Sequence, residues 1–171
     1  MLRLVVMSGL PCSGKSTVAY GLAARMRWPV FSVDPIDSAM RGEGIDTEAA
    51  GMAAYSVAAR LAADQLGLGL SVIVDGCNAD KELHELWLEL AGQTGARLDV
   101  IECVTDEALH RTRVAGRVRG LAHYPEVTWD FVEEMRGYFT PWATGRLRLD
   151  TGAAAPAELV ARAAAYVTRP D

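Results

Sequence analysis

Two glycines, a lysine and a serine stand at a chemically informative spacing in residues 9–16, which read Gly-Leu-Pro-Cys-Ser-Gly-Lys-Ser. The spacing matches the Walker A pattern, in which backbone N–H groups surround phosphate oxygens and the glycines leave room for their approach. We expect Lys15 to contact the β- and γ-phosphates of a nucleotide and the Ser16 hydroxyl to ligate Mg²⁺. The alternative is a glycine-rich turn with an incidental lysine. The predicted nucleotide-binding residues of this loop are Gly9, Pro11, Cys12, Ser13, Gly14, Lys15, Ser16 and Thr17.

The segments on either side of the loop have the character that such a site needs. Residues 2–7, Leu-Arg-Leu-Val-Val-Met, have the length and β-branched content of a strand, and residues 17–26 are typical of a helix. The N-terminus of that helix would add a partial positive charge next to the phosphates. Strand, glycine loop and helix in this order therefore favour a nucleotide site over an incidental turn.

Asp75 ends the almost wholly apolar residues 70–75, Leu-Ser-Val-Ile-Val-Asp. Such a run is typical of a central parallel strand that is covered on both faces. A carboxylate at its end can hold Mg²⁺ directly or through water. The alternative role is the N-cap of the segment that follows. The Walker A loop in the same chain favours the metal role.

Asp34 follows residues 29–33, Pro-Val-Phe-Ser-Val, which we predict to be a strand beside the strand of the phosphate loop. Its carboxylate would then face the γ-phosphate, where it can accept the proton of an acceptor hydroxyl. The alternative is the N-cap of a short helix that begins at Pro35. Asp37 lies one helical turn further on the same face, where it supports Asp34, contacts substrate or is a solvated surface carboxylate.

Four arginines gather in residues 111–119. Arg113 and Arg117 are four positions apart and would share one helix face, where a planar guanidinium can stack on adenine or bind a phosphate through two N–H groups. Arg119 would lie on a glycine-containing segment, about residues 116–124, that we predict to be a mobile lid. For these arginines the alternative is a solvated basic helix face.

Apolar segments of strand length alternate with segments of helix length along the whole chain. This order predicts βαβ units, and hence a three-layer α/β/α domain with a five-stranded parallel sheet and right-handed crossovers. Residues 97–104 alternate apolar and polar side chains, which predicts a less buried strand than residues 70–75. We expect a single domain over residues 1–171, with its site at the carboxyl ends of the strands.

Composition and charge exclude several classes of function. The formal net charge of −5 and the lack of a second basic stripe disfavour a nucleic-acid partner. No apolar run approaches about 18 residues, and residues 2–7 lead straight into the glycine loop, so we expect a cytoplasmic protein with no membrane segment and no leader. The three cysteines lack metal-ligand spacing and are expected to be reduced thiols. The sequence leaves the oligomeric state open.

On these motifs the sequence resembles the P-loop kinase superfamily, the branch that holds adenylate kinase, shikimate and gluconate kinases, chloramphenicol phosphotransferase and phage-type polynucleotide kinase. Residues 113–117, Arg-Val-Ala-Gly-Arg, resemble the adenylate kinase stretch in which one arginine stacks on adenine and the next binds phosphate. Asp75 and Gly76 resemble an Asp-Gly pair of adenylate kinase. Asn78 and Ala79, however, stand where that family has an arginine for the acceptor monophosphate, which argues against such an acceptor.

The predicted acceptor side resembles other members of the superfamily. Residues 31–40 resemble chloramphenicol phosphotransferase, in which the aspartate that matches Asp34 is the proposed base. Residues 9–17 and 123–127 resemble the kinase domain of polynucleotide kinase. That kinase carries a basic residue shortly after its base, and Arg41 is the nearest such residue in this chain.

The residues and the resemblance together predict an ATP-dependent, Mg²⁺-requiring kinase that phosphorylates a hydroxyl group of a small molecule. The alternatives are a 5′-hydroxyl polynucleotide kinase and a non-catalytic, regulatory ATP-binding protein. The predicted roles are catalysis for Lys15, Asp34 and Arg117, nucleotide binding for Arg113 and Arg117 besides the loop, Mg²⁺ binding for Ser16 and Asp75, and acceptor binding for Asp34, Asp37 and Arg41.

Overall fold

A computed structural model describes residues 1–118, 120–143 and 145–170, with all of their side chains except those of residues 47 and 48. Strands and helices alternate along the chain. The strands are β1 (Arg3–Ser8), β2 (Val30–Ser32), β3 (Val72–Asp75), β4 (Arg97–Val104) and β5 (Arg146–Asp150). The helices are α1 (Lys15–Met26), α2 (Val33–Gly42), α3 (Thr47–Gly67), α4 (Lys81–Thr94), α5 (Glu107–Gly116), α6 (Trp129–Tyr138) and α7 (Pro156–Thr168).

Over the described residues the five strands form one sheet in the order β2-β3-β1-β4-β5, and every neighbouring pair is parallel. The predicted fold class, a three-layer α/β/α domain with a five-stranded parallel sheet, is therefore confirmed. Because all strands run the same way, the carboxyl ends of β1, β2 and β3 meet at one edge of the sheet. That edge is where the predicted site residues follow their strands.

The predicted place of the second strand is wrong. β2 pairs with β3, with Ser32 beside Asp75, and β3 lies between β2 and β1. The physical reason is burial, since all four residues of β3 are buried while all three of β2 are half-buried. The wholly apolar strand thus occupies the covered position beside β1, and the short strand takes the edge.

The predicted lower burial of the fourth strand is also wrong. β4 lies between β1 and β5, and its residues 99–103 are all buried. Its two polar residues in that stretch, Asp99 and Glu102, are buried in ion pairs with arginines, including Arg3 and Arg146. Alternation of polar residues here reflects paired charges inside the protein and not a solvated face.

Two helix layers cover the sheet, each over its own apolar core. One core holds Val5, Met7 and Ile73 of the strands with α1 and α7. The other holds residues of the opposite strand faces, such as Leu4 and Val74, with α3 and α4. Both faces of the central strands are therefore buried, which fixes the edge at which the loops converge.

In the part of the chain that the structure describes, no helix combines the length and hydropathy that a bilayer crossing requires. The three cysteines, Cys12, Cys77 and Cys103, are free thiols, in agreement with the prediction of reduced cysteines. Burial raises the pKa of Cys103 to about 12, so its side chain behaves as a small apolar group inside the core.

Candidate active site

The loop of residues 9–14 joins β1 to α1, and its two glycines adopt backbone conformations that other residues rarely take. Gly9 has a φ of +132° and Gly14 one of +96°. A Cβ at Gly9 would lie 2.3 Å from the carbonyl oxygen of Cys103 on β4. The loop therefore packs so closely against the sheet that only glycine fits at its start, as the Walker A pattern requires.

Lys15 is the first residue of α1, and its side chain returns over the loop. Its Nζ donates a hydrogen bond to the carbonyl oxygen of Leu10 at 2.8 Å, and the residue is only 7% exposed. The ammonium group is thus held above the cradle of backbone N–H groups at the positive end of a helix. This is the place from which a lysine can reach phosphate oxygens.

Residues from five places in the chain line one small cavity, about 10 Å³ in volume, that includes Lys15. They come from the loop after β1, the start of α1, the start of α2, the end of β3 with the residues after it, and the residue after α5. The lining residues are Pro11, Lys15, Ser16, Asp34, Asp75, Gly76, Cys77 and Arg117. The fold therefore brings together five residues that the sequence assigned to catalysis or metal binding from separate places in the chain: Lys15, Ser16, Asp34, Asp75 and Arg117.

Asp75 is 3% exposed, and its two carboxylate oxygens have different surroundings. Oδ2 accepts a hydrogen bond from Ser32 Oγ at 3.2 Å, whereas Oδ1 has no hydrogen-bond partner among the described residues. Burial raises the pKa of this carboxyl, the positive charge of Lys15 opposes that rise, and the negative charge of Asp34 adds to it. A buried carboxylate oxygen without a partner is costly unless a cation or donor satisfies it.

The donor set around Asp75 fits a magnesium ion. The Ser16 hydroxyl and the carboxylate offer hard oxygen ligands, and Mg²⁺ is commonly held by one or two such protein ligands together with substrate phosphates. Among the described residues no group of three or more His, Cys, Asp or Glu side chains could form a metal cage. The Ser16 hydroxyl and the Asp75 carboxylate thus suit an ion that is held jointly by the protein and by phosphate oxygens.

Asp34 lies in the first turn of α2, half-buried, in the same cavity as Lys15. The alternative in which Asp34 is the N-cap of a helix starting at Pro35 is wrong, because α2 begins at Val33 and its N-cap is Ser32. The carboxylate is close enough to Asp75 for its negative charge to raise the pKa of that carboxyl. Its position, in the first turn of a helix and lining the same cavity as Lys15, is compatible with the predicted role of base.

Asp37 and Arg41 form an ion pair along α2. Arg41 donates to both oxygens of Asp37, from Nε at 2.6 Å and from Nη2 at 3.0 Å. Asp37 is only 4% exposed, so its interpretation as a solvated surface carboxylate is wrong. The Arg41 guanidinium carbon also lies 5.3 Å from the ring centre of Tyr124, which follows α5 in the chain.

Arg113 lines a second, larger cavity that shares Lys15, Ser16 and Arg117 with the first. Arg113 donates to the hydroxyl oxygen of Thr151 at 2.6 Å and to its carbonyl oxygen at 2.8 Å. The cavity has a volume of about 560 Å³, within the range of small-molecule sites. It is lined by Cys12, Gly14, Lys15, Ser16, Thr17, Val18, Thr112, Arg113, Gly116, Arg117, Thr151, Pro156 and Leu159.

The prediction that Arg113 and Arg117 share a helix face is wrong. α5 ends at Gly116, and Arg117 has the extended dihedral angles φ −84° and ψ 129°. Glycine favours a helix end because it loses more backbone entropy than other residues in a helix. Arg117 nevertheless lines both cavities beside Lys15, with its Nη1 3.6 Å from Cys12 Sγ, while Arg119 lies outside the described residues.

Residues 4–142 match a known family described as an AAA domain, AAA_33, which is most of this chain. The chain belongs to the AAA_33 family. An uncharacterized protein of Mycobacterium tuberculosis is 28% identical to it over 162 residues, covering 88% of this chain. The match covers 32% of that relative, so this AAA_33 chain spans about a third of the length of the curated relatives it matches.

Solved structures similar to this AAA_33 chain have the P-loop kinase fold. A protein of Chloroflexus aurantiacus described as a candidate kinase superimposes with a TM-score of 0.79 at 22% identity, covering 98% of this chain and 99% of that one. A sugar kinase of Janibacter superimposes with a TM-score of 0.73 at 17% identity, covering 98% and 96%. At these identities the likeness establishes the fold, and the predicted P-loop kinase superfamily is confirmed at that level.

Two residues that the sequence gave no reason to select hold the loop of this AAA_33 chain in place. The Thr151 hydroxyl donates to the carbonyl oxygen of Ser13 at 2.7 Å, so it links the loop to Arg113. His110 Nε2 lies 2.6 Å from the carbonyl oxygen of Pro11, which can only accept, so Nε2 carries the proton. Burial lowers the pKa of His110, which favours this neutral form.

Asn78 organises the loop after β3 and faces the core. Its Nδ2 donates to the carbonyl oxygen of Met7 at 2.6 Å, and its Oδ1 accepts from Trp87 Nε1 at 2.6 Å. The backbone N–H of Gly9 donates to the carbonyl oxygen of Cys77 at 3.1 Å. The Asn78 side chain therefore joins the loop after β3 to β1 and α4, while Cys77 joins that loop to the phosphate loop. Asn78 is fully buried, so it does not face an acceptor.

The described residues of the predicted lid are 116–118 and 120–124. They include residues that lie near the small cavity and residues that lie near the end of α2. Arg117 lines the cavity with Asp34, and further along the chain Tyr124 lies over Arg41. A Cβ at Gly42 of α2 would lie 2.8 Å from a ring carbon of His123. The segment thus contacts α2 at its far end, and its mobility stays a prediction.

Proposed function

We propose that this chain is an ATP-dependent, Mg²⁺-requiring kinase that transfers the γ-phosphate to a hydroxyl group of a small molecule. The observation that carries this proposal is the single cavity lined by Lys15, Asp34, Asp75 and Arg117. A phosphate-binding loop alone fits any nucleotide-binding protein. The carboxylate of Asp34 in the cavity beside the lysine is the group that transfer to an alcohol needs and that nucleotide binding does not.

The nucleotide would occupy the larger cavity with its phosphates on the loop. The side chain of Arg113, fixed by two hydrogen bonds to Thr151, forms a flat cationic wall on which an adenine base can stack. Lys15 and the N-terminus of α1 would bind the β- and γ-phosphates. In this arrangement the γ-phosphate points towards the small cavity that contains Asp34 and Arg117.

In the proposed transfer, the acceptor hydroxyl oxygen forms a bond to the γ-phosphorus while the bond from that phosphorus to the β,γ-bridging oxygen breaks. The bridging oxygen keeps the electron pair and leaves as part of ADP, and the hydroxyl proton passes to the Asp34 carboxylate. Lys15 and Arg117 stabilise the negative charge on the transferred group. Ser16 and Asp75 would hold magnesium, which when bound neutralises charge on the β- and γ-phosphate oxygens.

The alternative of a regulatory ATP-binding protein is separated from a kinase by acceptor-dependent turnover. Release of ADP is measured by a coupled assay with a panel of hydroxyl compounds, and the phosphorylated product is verified by mass. We expect Lys15→Ala to reduce acceptor-dependent turnover by at least about 100-fold, because it removes the cation that contacts the transferred phosphate. Turnover by Lys15→Ala at the wild-type rate would contradict the assignment of the loop.

Lys81 offers a matched control. It is the only other lysine of the chain and lies exposed at the start of α4. Lys81→Ala removes the same charge from the molecule but is outside both cavities. We expect its turnover to stay within about 2-fold of wild type, as for an ordinary surface substitution. Equal losses in both variants would point to a general effect of net charge.

A further inference from the structure

A third cavity adjoins the phosphate loop and has no part in the proposed function. It is formed by the loop together with residues of β4, β5, α5 and α6, and its volume of about 430 Å³ is in the range of small-molecule sites. Gly9, Leu10 and Ser13 of the loop line it, whereas other loop residues line the two cavities of the candidate active site. A molecule in this cavity would therefore contact the loop without taking the place of the nucleotide.

The carboxylates that line this cavity are already paired. Glu102, which is buried, accepts a hydrogen bond from Arg146 Nε, and Glu107 accepts one from Arg111 Nε at 2.9 Å. Neither of these two arginines is among the described residues that line the cavity. Burial lowers the pKa of His110, a further lining residue, so its ring adds no charge at neutral pH. The negative charges of the lining are therefore balanced from outside the cavity.

Two arginines of the lining keep N–H groups for a further partner. Arg148 Nε lies 3.6 Å from Glu102 Oε1, which is too far for a hydrogen bond, and the Arg148 side chain is 67% exposed. Arg136 Nη1 lies 3.2 Å from Glu133 Oε1 and 3.9 Å from Glu107 Oε2, in ion pairs between exposed side chains. Such exposed pairs contribute little, so a ligand can replace them with its own contacts. A guanidinium binds the oxygens of a carboxylate or phosphate through two parallel N–H groups.

Two buried hydroxyl groups of the lining have no hydrogen-bond partner among the described residues. They are Ser13 Oγ, in a residue that is 2% exposed, and Thr105 Oγ1. A buried hydroxyl without a partner is unfavourable, and a hydroxyl can both donate and accept. Ser13 Oγ lies 3.0 Å from the position of a Cβ on Gly9, which lines the same cavity. An oxygen atom of a ligand in the cavity is the kind of partner that these hydroxyls lack.

Apolar side chains complete the lining and indicate the body of the ligand. Leu10, Val104 and Phe139 come from the loop, from β4 and from the residue after α6. The volume of about 430 Å³ is far larger than the roughly 30 Å³ that one water molecule occupies. A small inorganic ion would therefore leave most of the cavity unfilled, whereas an organic molecule can contact the arginines and the apolar side chains together.

We infer that this cavity binds a small organic anion, whose carboxylate or phosphate group is bound by Arg136 and Arg148 and whose body is apolar. The same molecule supplies a partner for the hydroxyls of Ser13 and Thr105. It binds while the nucleotide is bound, because the two ligands use different residues. The inference goes beyond the proposed function, since it requires neither phosphate transfer nor an acceptor.

The experiment that tests it measures anion binding with the nucleotide site filled. The protein is saturated with Mg²⁺ and the non-hydrolysable nucleotide AMPPNP, and phenyl phosphate, benzoate and benzyl alcohol are each titrated by calorimetry. The three probes share a phenyl ring and differ in their polar group. We expect phenyl phosphate or benzoate to bind with a Kd of about 1 mM or below, and benzyl alcohol at least about 10-fold more weakly. The tighter anion shows whether the site prefers phosphate or carboxylate.

Substitution of the two arginines shows where the anion binds. Arg148→Gln and Arg136→Gln each remove one guanidinium of the lining, and each should weaken the tighter anion by about 10-fold. Arg60→Gln is the matched control, because it removes the same charge from α3, where the side chain is 80% exposed and outside the described lining. Its affinity for the anion should stay within about 2-fold of wild type, since exposed charges at a distance are screened.

Three results would overturn the inference. They are the absence of anion binding at about 1 mM, benzyl alcohol binding as tightly as the anions, and an anion affinity that neither arginine substitution changes. In the last case the anion would lie at another cationic site, such as Arg117. Should thermal melting show Arg136→Gln to be unfolded, the exposed Arg148→Gln decides alone. Should AMPPNP not bind, which would count against the proposed function, the same titrations without nucleotide still test the cavity.

Discussion

Gly9→Ala tests whether the shape of the phosphate loop is imposed by its packing on the sheet. The added Cβ would lie 2.3 Å from the Cys103 carbonyl oxygen and 3.0 Å from Ser13 Oγ. A backbone carbonyl of β4 cannot rotate away, so the loop has to move. A φ of +132° adds about 1–3 kcal/mol of backbone strain for alanine, and overpacking adds about 1–3 kcal/mol. We expect the free energy of unfolding to fall by about 2–6 kcal/mol.

The movement should also weaken nucleotide binding, because it separates the Gly9 N–H from the Cys77 carbonyl oxygen that positions the loop. Urea denaturation measures the stability, and calorimetry with AMPPNP measures the affinity. Gly92→Ala is the matched control, since Gly92 lies inside α4 with open space around its Cβ position, and there alanine should add roughly 0.5–1 kcal/mol of stability. Wild-type stability and affinity in Gly9→Ala would refute the loop geometry.

Three further predictions concern the residues around the loop. Thr151→Val should raise the KM for ATP about 5–20-fold with a smaller change in kcat, because it removes the hydroxyl that joins Ser13 to Arg113. Steady-state kinetics measure both constants, and an unchanged KM would contradict this prediction. Arg117→Ala should lower kcat more than ATP affinity, whereas Arg113→Ala should mainly weaken ATP binding. Equal, small effects of the two substitutions would favour the alternative that both arginines belong to a solvated basic surface. Burial lowers the pKa of His110, so the stability that its neutral form contributes is complete above the unfolded pKa of about 6.5 and is lost as pH falls towards the lower folded pKa. The melting temperature should therefore fall less steeply from pH 7 to pH 5 in His110→Gln than in wild type, and parallel pH profiles of the two proteins would contradict this.

The sequence was sufficient for the fold class and for the phosphate loop because both depend on local patterns. Strand, glycine loop and helix follow one another in the chain, and the apolar residues of β1 and β3 predict buried parallel strands wherever they pair. Strand order depends on long-range pairing, and nothing in residues 29–33 indicates that β3 and not β1 is their neighbour. β3 takes the position beside β1 because all four of its residues are buried there.

Charged residues were the hardest to place from sequence. From sequence alone Asp37 is compatible with a surface position, because nothing local shows that the Arg41 side chain pairs with it. Arg117 follows Arg113 at helical spacing, but the glycine between them ends the helix, and its extended backbone still brings the guanidinium to Lys15. His110 acts through one contact with the Pro11 carbonyl, 99 positions away in the chain, which no local pattern can indicate.

The central claim, that Asp34 makes this nucleotide site a kinase of alcohols, is tested most directly by Asp34→Asn. The substitution keeps the shape of the side chain and removes the carboxylate that would take the acceptor proton. We predict that calorimetric ATP affinity stays within a few-fold of wild type while phosphate transfer to the acceptor falls by about 10²–10⁴-fold. Transfer at the wild-type rate, or an equal loss of ATP affinity, would contradict the account.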